Sequence, residues 1–343
     1  MGEAAEIGKL SLGARIAAGH RRTISRCISL IENHDAAAPE VLKEADRLGG
    51  QGLVIGITGV PGAGKSTLVP ALARRLVGLG KKTAIIAVDP SSPLTGGAIL
   101  GDRIRDTGSG EIGVYFRSIA SRGSLGGLSQ TINEVVTLLE AAFDAVLIET
   151  VGTGQSEIAI TDVAHTTLAL TAPGLGDEIQ AMKAGILEVA DVVVVNKADT
   201  DPAAAQITAD TLRTTLGLTA RGHGLSEGIN PAKDAQPARW HPPVRTVSAL
   251  NGEGLDELMA AVLAHRRLLD ETGASVQWRT KRRLARFRSA LRDALEDHVR
   301  TDTAARRILD DAEGRVARAE SDPLTTAAEV ARACFKLNVP GTH

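Results

Sequence analysis

The chain has 343 residues, 43% apolar and 23% charged, a composition typical of a globular protein with one large domain or two smaller ones. The 39 Lys and Arg nearly balance the 41 Asp and Glu, and aromatic residues are only 2%, which argues against nucleic-acid binding. The two cysteines, Cys27 and Cys334, form no disulfide framework or thiolate metal site, and we expect both to be reduced. Because no apolar run approaches the roughly 18 residues that span a bilayer and the N-terminus lacks a signal-peptide pattern, we expect a cytoplasmic chain without a membrane partner.

The first 49 residues predict helices that precede the main fold. Apolar residues recur at helical spacing in one stretch, and Pro39 opens a second, shorter helix that ends at Gly49. The apolar face of the earlier helix comprises Ile24, Cys27, Ile28 and Ile31.

From residue 50 the pattern changes to short apolar runs separated by helical stretches of ten or more residues. Strands that alternate with helices predict an α/β fold, with a mostly parallel sheet flanked by helices on both faces. The predicted strands are residues 53–57, 83–88, 145–148, 167–170, 192–195 and 244–247.

The segment after the first predicted strand matches the phosphate-loop pattern GxxxxGK[ST] in full. Glycines allow consecutive backbone N–H groups to point at phosphate oxygens, and the helix that starts at Lys65 adds its positive end. In such a loop Lys65 reaches the β- and γ-phosphates, and the Ser66 hydroxyl ligates Mg²⁺. The predicted nucleotide-binding residues are Gly59, Val60, Pro61, Gly62, Ala63, Gly64, Lys65, Ser66 and Thr67.

Three carboxylates are candidates for Mg²⁺ binding. Asp89 ends the second predicted strand, Asp102 follows in a Gly-rich stretch, and Glu149 ends an apolar strand with Gly152 three residues further on. Glu149 therefore holds the Walker B position, where Asp is more usual. Each acid taken alone is better explained by a helix N-cap or an exposed loop, but their shared place at strand ends beside a phosphate loop reverses that preference and favours Mg²⁺.

The segment NKAD at residues 196–199 follows a buried strand and predicts a guanine pocket. The Asp199 carboxylate offers two acceptors to the N1–H and N2–H₂ donors of guanine, which adenine does not present, so we expect GTP rather than ATP. Lys197 is expected to lie across the base, and Asn196 to connect this segment to the phosphate loop. The segment expected to close the pocket from the other side is Ser248, Ala249 and Leu250.

One part of the usual hydrolytic machinery is missing. In Ras-like GTPases a Gln directly after the second-switch Gly positions the water, whereas here Thr153 follows Gly152 and Gln155 comes two residues later. We therefore expect slow hydrolysis of GTP until a partner completes the site.

Residues 172–183 form a further loop with two glycines and several polar groups. The pattern fits a loop that responds to the nucleotide. It fits equally well a helix N-terminus at which Asp177 and Glu178 favour the helix dipole.

Residues 217–243 contain four prolines and few apolar residues, which predicts an inserted surface loop. Beyond residue 268 the chain is predicted to be helical, with later helices near 303–319 and 325–337. Residues 277–300 hold eight Lys or Arg against three acids, which favours a solvated face. One apolar stripe there comprises Leu284, Phe287, Leu291 and Leu295. The expected divisions are an N-terminal helical segment (1–49), a P-loop GTPase domain (50–268) and a C-terminal helical arm (269–343).

Taken together, the chain resembles the MeaB/MMAA GTPases, which are chaperones of adenosylcobalamin-dependent methylmalonyl-CoA mutase. The segments that carry the resemblance are the phosphate loop at 59–66, DPSSPLTGGAILGDRIR from Asp89, ETVGTGQSE from Glu149, APGLGDEIQAMKAGILE from Ala172, and NKAD. The similarity is strong over about residues 50–265, and the loop at 217–243 is longer than is usual in the family.

The resemblance implies a G3E-type P-loop GTPase that binds GTP, GDP and Mg²⁺ and forms a homodimer through the C-terminal arm. It also implies a methylmalonyl-CoA mutase as partner, with cofactor loading and protection gated by GTP, and it allows a cobalamin adenosyltransferase as a second partner. Gln180 and Lys183 correspond to the third switch of the family and become candidate catalytic residues.

Three other functions compete with this interpretation. A G3E metallochaperone for nickel or zinc would carry His-rich tracts or paired cysteines, whereas the eight His here are scattered. A kinase or ATPase serving amino-acid transport is disfavoured by Asp199 and by the lack of a kinase catalytic loop. A module that holds GDP without turnover would be distinguished by single-turnover hydrolysis.

Overall fold

The computed structural model describes residues 10–90, 113–121, 125–150, 160, 162–174, 187–222 and 240–335. Within these residues the chain forms ten helices and one seven-stranded sheet. The helices are α1 (Leu12–Ala17), α2 (Arg21–Glu32), α3 (Ala38–Leu48), α4 (Lys65–Gly78), α5 (Leu125–Glu140), α6 (Pro202–Gly222), α7 (Leu255–Glu271), α8 (Ala274–Thr301), α9 (Thr303–Ala317) and α10 (Pro323–Phe335). The strands are β1 (Leu53–Gly59), β2 (Thr83–Pro90), β3 (Tyr115–Ser121), β4 (Ala145–Thr150), β5 (Thr166–Thr171), β6 (Val192–Val195) and β7 (Val244–Thr246). None of the helices in these ranges combines the length and apolar character that a bilayer crossing requires.

The sheet has the strand order β3-β2-β4-β1-β5-β6-β7, and every neighbouring pair is parallel. The predicted α/β fold of the P-loop NTPase class is therefore confirmed. The edge strand β3 was not predicted. Its buried residues Tyr115 and Ile119 are separated by three partly exposed positions, so its sequence lacks the continuous apolar run of the central strands.

Helices cover both faces of the sheet. On one face α4, α6 and α7 bury a core that includes Leu72, Leu212 and Val262. On the other face α2, α3 and α5 bury a second core that includes Ile28 and Leu139. The predicted apolar face of α2 is buried in this second core, so the N-terminal helices belong to the same packed body as the sheet.

The prediction of a loop over 217–243 is wrong at its start, because α6 continues to Gly222. Leu216 packs against the core beneath α6, which favours continuing the helix past the predicted boundary. Residues 223–239 lie outside the described residues. At the far end of the segment, the Trp240 Nε1–H donates a 2.7 Å hydrogen bond to the Asp191 carbonyl.

The chain divides into two compact units, residues 1–282 and 283–343. In the second unit, α9 and α10 follow the predicted helices to within two residues, and the Asp302 carboxylate caps α9 by accepting from the N–H groups of Ala304 and Ala305. A cavity of about 740 Å³ in this unit is lined mainly by apolar side chains, among them Leu295, Val316 and Phe335. The three-part division expected from the sequence stays a prediction.

Candidate nucleotide-binding site

The candidate site lies at the carboxyl edge of the sheet, where parallel strands deliver polar residues to one place. The phosphate loop runs from the end of β1 to the start of α4 and turns through Gly59, Gly62 and Gly64, which have φ values of 140°, 75° and 89°. These positive φ values favour glycine over any other residue. A Cβ at Gly62 would meet no atom within 4 Å, so the loop is open there to an approaching ligand, whereas a Cβ at Gly59 would strike the Leu170 carbonyl.

Lys65 is buried at the first position of α4, inside the curve of the phosphate loop. Its ammonium group donates hydrogen bonds to the carbonyls of Gly59 at 2.6 Å and Val60 at 3.1 Å. These contacts hold a positive charge under the open part of the loop, where it can interact with anionic ligand groups.

Ser66 and Glu149 meet beside the phosphate loop. The Ser66 hydroxyl donates a 2.7 Å hydrogen bond to Oε1 of Glu149. Glu149 is buried, with only 3% of the residue exposed. A hydroxyl and a carboxylate are oxygen ligands of the kind that Mg²⁺ takes together with substrate phosphates, so these two residues fit the ion. In the part of the chain that the structure describes, no three His, Cys, Asp or Glu side chains gather into a separate metal site.

The other candidate Mg²⁺ carboxylates are described only in part or not at all. Asp89 is the penultimate residue of β2, and its backbone pairs in register with Ala120 on β3. Asp102, Gln180 and Lys183 lie outside the described residues, as do Thr153 and Gln155.

Asn196 connects three segments at the end of β6. Its Nδ2 group donates to the Ala63 carbonyl at 2.9 Å, and its Oδ1 atom accepts from the Ala249 N–H at 3.1 Å. Its backbone N–H donates to the Thr171 carbonyl at the end of β5. Because Asn196 is 2% exposed, these contacts join the phosphate loop, the NKAD segment and the Ser248–Leu250 segment in a dry environment.

The remaining base-pocket residues flank Asn196. Lys197 has a φ of 59°, an uncommon backbone conformation for a lysine, and both Lys197 and Asp199 are exposed. Ser248 is fully buried and accepts a hydrogen bond from the Asn251 N–H at 3.1 Å, while Leu250 is 77% exposed. Thr67 is an exposed residue in the first turn of α4.

A buried cluster that the sequence analysis missed lies near the amino ends of β1 and β5. Arg282 of α8 donates to Glu140 Oε2 at 2.6 Å and to Asn133 Oδ1 at 2.7 Å, and its guanidinium lies 4.5 Å from the Trp278 ring centre. Burial raises the pKa of Glu140, although the guanidinium of Arg282 opposes that rise. The basic residues at 277–300 were expected to form a solvated face, but Arg282 is only 6% exposed. Arg282 follows Trp278 by four residues, and this helical spacing was the signal in the sequence that could have indicated a buried face.

His165 belongs to the same cluster. Its ring stacks on Trp278 at 3.9 Å between centres, and its Nδ1 atom accepts from the Val54 N–H at 3.0 Å. Burial lowers the pKa of His165 to about 2, helped by nearby arginines including Arg266 and Arg282, so the imidazole is neutral.

A second missed cluster joins Asp191 and His265 near the amino ends of β5 and β6. Asp191 accepts from the Thr167 N–H at 2.8 Å, and its other oxygen lies 3.4 Å from His265 Nε2. Burial raises the pKa of Asp191 to about 6 and lowers that of His265 to about 4. Both clusters lie at the sheet edge opposite the phosphate loop, which separates them from the nucleotide chemistry.

Comparison with known proteins places this geometry in one family. The sequence profile of the family described as methylmalonyl-CoA mutase-associated GTPase MeaB matches residues 24–304. A Caulobacter vibrioides protein described as a candidate GTPase is 40% identical over 333 residues, covering 95% of this chain and 98% of that protein. The GTPase ArgK of Escherichia coli is 35% identical, covering 83% of this chain and 84% of that protein.

A solved structure agrees with the sequence comparisons. The crystal structure titled LAO/AO transport system kinase superposes with a TM-score of 0.64 at 28% identity, covering 96% of this chain and 97% of that one. With a phosphate loop and an NKAD segment joined at the carboxyl edge of a parallel sheet, the chain belongs to the MeaB family of methylmalonyl-CoA mutase-associated GTPases.

Proposed function

We propose that this chain is a Mg²⁺-dependent GTPase that gates cofactor loading and protection in an adenosylcobalamin-dependent methylmalonyl-CoA mutase. The observation that carries the nucleotide part is the side chain of Asn196, which bonds to Ala63 and to Ala249 at once. Two loops held together by one side chain are suited to a ligand with a phosphate end and a base end. Membership of the MeaB family supports the mutase part.

In this proposal the phosphate loop and Lys65 bind the phosphates of GTP. The Lys65 ammonium would exchange its bonds to the Gly59 and Val60 carbonyls for phosphate oxygens, which are stronger, charged acceptors. Asp199 would accept from the guanine edge, and the stem of Lys197 would lie along the face of the base. The exposure of both residues is consistent with side chains that become covered by a nucleotide.

Ser66 and Glu149 would hold Mg²⁺, with Asp89 and Asp102 as further carboxylates around it. When bound, Mg²⁺ neutralises charge that develops on the phosphates during hydrolysis of GTP to GDP and phosphate. Because Thr153 stands where a water-positioning Gln is usual, we expect slow hydrolysis that a partner accelerates, with Gln180 and Lys183 as the candidate residues that respond.

The mutase is the proposed partner, and a cobalamin adenosyltransferase that supplies the cofactor is a second one. We further propose a homodimer built through the C-terminal helices. An apolar stripe on α8 supports this, because its side chains are 39% to 63% exposed within a single chain. Exposed apolar patches of this kind mark surfaces that contact another protein. The stripe comprises Leu284, Phe287, Leu291 and Leu295.

Nucleotide binding tests the first part of the proposal. The purified protein should bind a fluorescent GDP analogue that GTP and GDP displace and that ATP does not. Lys65→Ala should abolish binding or hydrolysis, because it removes the buried cation of the phosphate loop, whereas the exposed Lys82→Ala should behave as wild type. Displacement by ATP would favour a transport-associated kinase or ATPase instead, and undiminished GTP turnover in Lys65→Ala would contradict the assignment of the phosphate site.

A further inference from the structure

A cavity of about 910 Å³ opens at the amino ends of β6 and β7, at the sheet edge opposite the phosphate loop. Its walls come from the last turns of α6, from the segment before β6 and from the segment that leads into β7. A volume of this size lies within the range of about 300–1,000 Å³ that small-molecule sites occupy. None of the residues that line the cavity takes part in the proposed GTPase chemistry.

Two arginines of this wall converge on one backbone carbonyl. The Val193 N–H donates to the Pro243 carbonyl, so the next carbonyl, that of Val244, faces away from β6 and towards the outer edge of the sheet. Arg213 of α6 donates to this carbonyl from Nη2 at 3.5 Å, and Arg245 of β7 donates from Nη1 at 3.4 Å. Both distances exceed the usual range of about 2.7–3.2 Å, so two cations share one weak, neutral acceptor.

Neither guanidinium has its charge fully balanced. Arg213 forms a 2.6 Å ion pair with Asp210, but the two side chains are 46% and 61% exposed, and exposed pairs of this kind contribute little. The Arg245 Nε–H is buried and has no acceptor within the part of the chain that the structure describes. Two guanidinium groups at one cavity wall favour an anionic ligand group, because a phosphate or carboxylate accepts from both.

Two acids also line the cavity, but they do not cancel this preference. The Asp191 carboxylate already has partners of its own, since one oxygen accepts from the Thr167 N–H at 2.8 Å and the other lies 3.4 Å from His265 Nε2. Glu188 is exposed, so solvent and salt screen its charge.

The remaining wall is largely apolar and includes an aromatic ring. Leu216, Pro242 and Trp240 contribute to it. The Trp240 indole is fixed in place, because its Nε1–H donates to the Asp191 carbonyl at 2.7 Å and its ring stacks on His265 with centres 4.8 Å apart. A fixed aromatic wall beside two arginines fits a ligand with an anionic end and an apolar or planar body.

We propose that this cavity is a second ligand site, which binds a small organic anion. Its ligand carries a phosphate or a carboxylate on an apolar or planar body. The anionic group accepts from Arg245 and Arg213 in place of the Val244 carbonyl, because a charged acceptor forms stronger hydrogen bonds than a neutral one. The body of the ligand lies against Trp240. This inference goes beyond the proposed GTPase function and does not depend on it.

Calorimetric titration with phenyl phosphate tests the proposal, because this probe carries a phosphate on a planar ring. Excess GDP and Mg²⁺ are added first to occupy the phosphate loop, which also attracts phosphate groups. Phenyl phosphate should bind with a dissociation constant below about 1 mM. Inorganic phosphate should bind about tenfold or more weakly, because it lacks the apolar ring. A parallel titration with benzoate identifies the headgroup, since the tighter of the two aromatic probes carries the preferred anion.

Arginine variants locate the anionic end. Arg245→Gln should weaken phenyl phosphate binding about tenfold to a hundredfold, the usual effect of losing hydrogen bonds to a charged group. Arg213→Gln should cause a smaller loss, because Asp210 already shares that guanidinium. GDP affinity should stay unchanged in both variants. Arg267→Gln is the matched control and should bind as wild type does, because Arg267 is an exposed arginine of α7 outside the cavity.

Gly217→Leu tests the apolar end and leaves both arginines in place. Gly217 lines the cavity, and a Cβ there would meet no atom within 4 Å, so the backbone accommodates a larger side chain. Leucine also favours the helical conformation of α6 over glycine. The variant should fold and should weaken phenyl phosphate binding about fivefold or more, because the new side chain takes space from the ring. Binding of inorganic phosphate should not change.

A wild-type protein that shows no saturable binding of either aromatic probe at millimolar concentration would overturn the inference. Binding that neither Arg245→Gln nor Gly217→Leu weakens would do the same, as would an equal loss in Arg267→Gln, which would indicate general attraction to surface charge. If the melting temperature shows that Arg245→Gln does not fold, Gly217→Leu decides alone. A protein that binds no GDP would overturn only the proposed function, because the cavity contains no residue of the nucleotide site.

Discussion

Asp199 is the residue on which the choice of nucleotide is expected to depend. In Asp199→Asn one carboxylate oxygen becomes an NH₂ donor, which opposes the guanine N2–H₂ group and matches the O2 acceptor of xanthine. We therefore expect GDP affinity to fall about tenfold to a hundredfold, the usual worth of a hydrogen bond to a charged group. Xanthosine diphosphate affinity should rise. Competition binding against a fluorescent GDP analogue measures both, and unchanged specificity would place the base pocket elsewhere.

His165 is expected to make the protein sensitive to mild acid. Its folded-state pKa of about 2 is below the ordinary value of 6.5, so the unfolded chain takes up a proton that the folded chain refuses. The stability contributed by the neutral imidazole is present above pH 6.5 and is lost as pH falls towards the folded pKa. Over this range the free energy of unfolding falls by at most about 1.4 kcal/mol for each pH unit.

His165→Asn should therefore lower stability at pH 7 and show a weaker loss between pH 6.5 and pH 5 than wild type does. Urea unfolding at several pH values measures the two slopes. Comparing the variant with wild type cancels the opposing shifts of Asp191 and His265, which titrate in the same range. Parallel slopes would contradict the assignment.

Residue types were predictable from the sequence where the chemistry of the ligand restricts them. A phosphate loop needs its glycines and Lys65, and a guanine pocket needs Asp199, so local spacing was sufficient to propose both. The burial of the Thr58 hydroxyl and of the Glu140 carboxylate was not predictable. Their roles depend on which side chains face them across the fold, and one sequence carries no record of those contacts.

At the scale of elements, a buried salt bridge between Arg282 and Glu140 connects α8 to α5. Removing only the arginine would leave a buried carboxylate without its partner, so Arg282→Met should destabilise the protein by about 3–5 kcal/mol. The double variant Arg282→Met/Glu140→Met should recover much of that loss, because it removes both charges. Arg283→Met, at an exposed neighbouring position, should change stability little.

Chemical denaturation with both the single and the double variant measures this prediction. A single variant as stable as wild type would contradict the role of the pair. So would a double variant that is less stable than Arg282→Met alone.

Elements were predictable where hydrophobic periodicity is strong. The central strands are continuous apolar runs, and their positions and the parallel sheet follow from the sequence. The edge strand β3 and the extension of α6 to Gly222 were not predicted, because pairing with β2 and packing of Leu216 decide them. Both depend on contacts made after the chain folds, and tertiary contacts override weak local preference.

At the scale of the whole molecule, the proposed homodimer predicts a defined response to a surface change. Phe287 is 63% exposed on α8, and a charge there should disrupt apolar contact between two chains. Sedimentation should give a dimer for wild type and a monomer for Phe287→Asp, with GDP binding retained. Ile207→Asp, at an equally exposed apolar residue of α6, should stay dimeric. A monomeric wild type, or a dimeric Phe287→Asp, would contradict the proposed interface.

The rate of GTP hydrolysis, measured with and without an adenosylcobalamin-dependent methylmalonyl-CoA mutase from the same source, tests the central claim most directly. The proposed function predicts slow release of phosphate by the protein alone and strong stimulation by the mutase. It also predicts that the phosphate-loop variant Lys65→Ala gives no release under either condition. A slow rate that the mutase does not change would contradict the gating role, while leaving the nucleotide site in place.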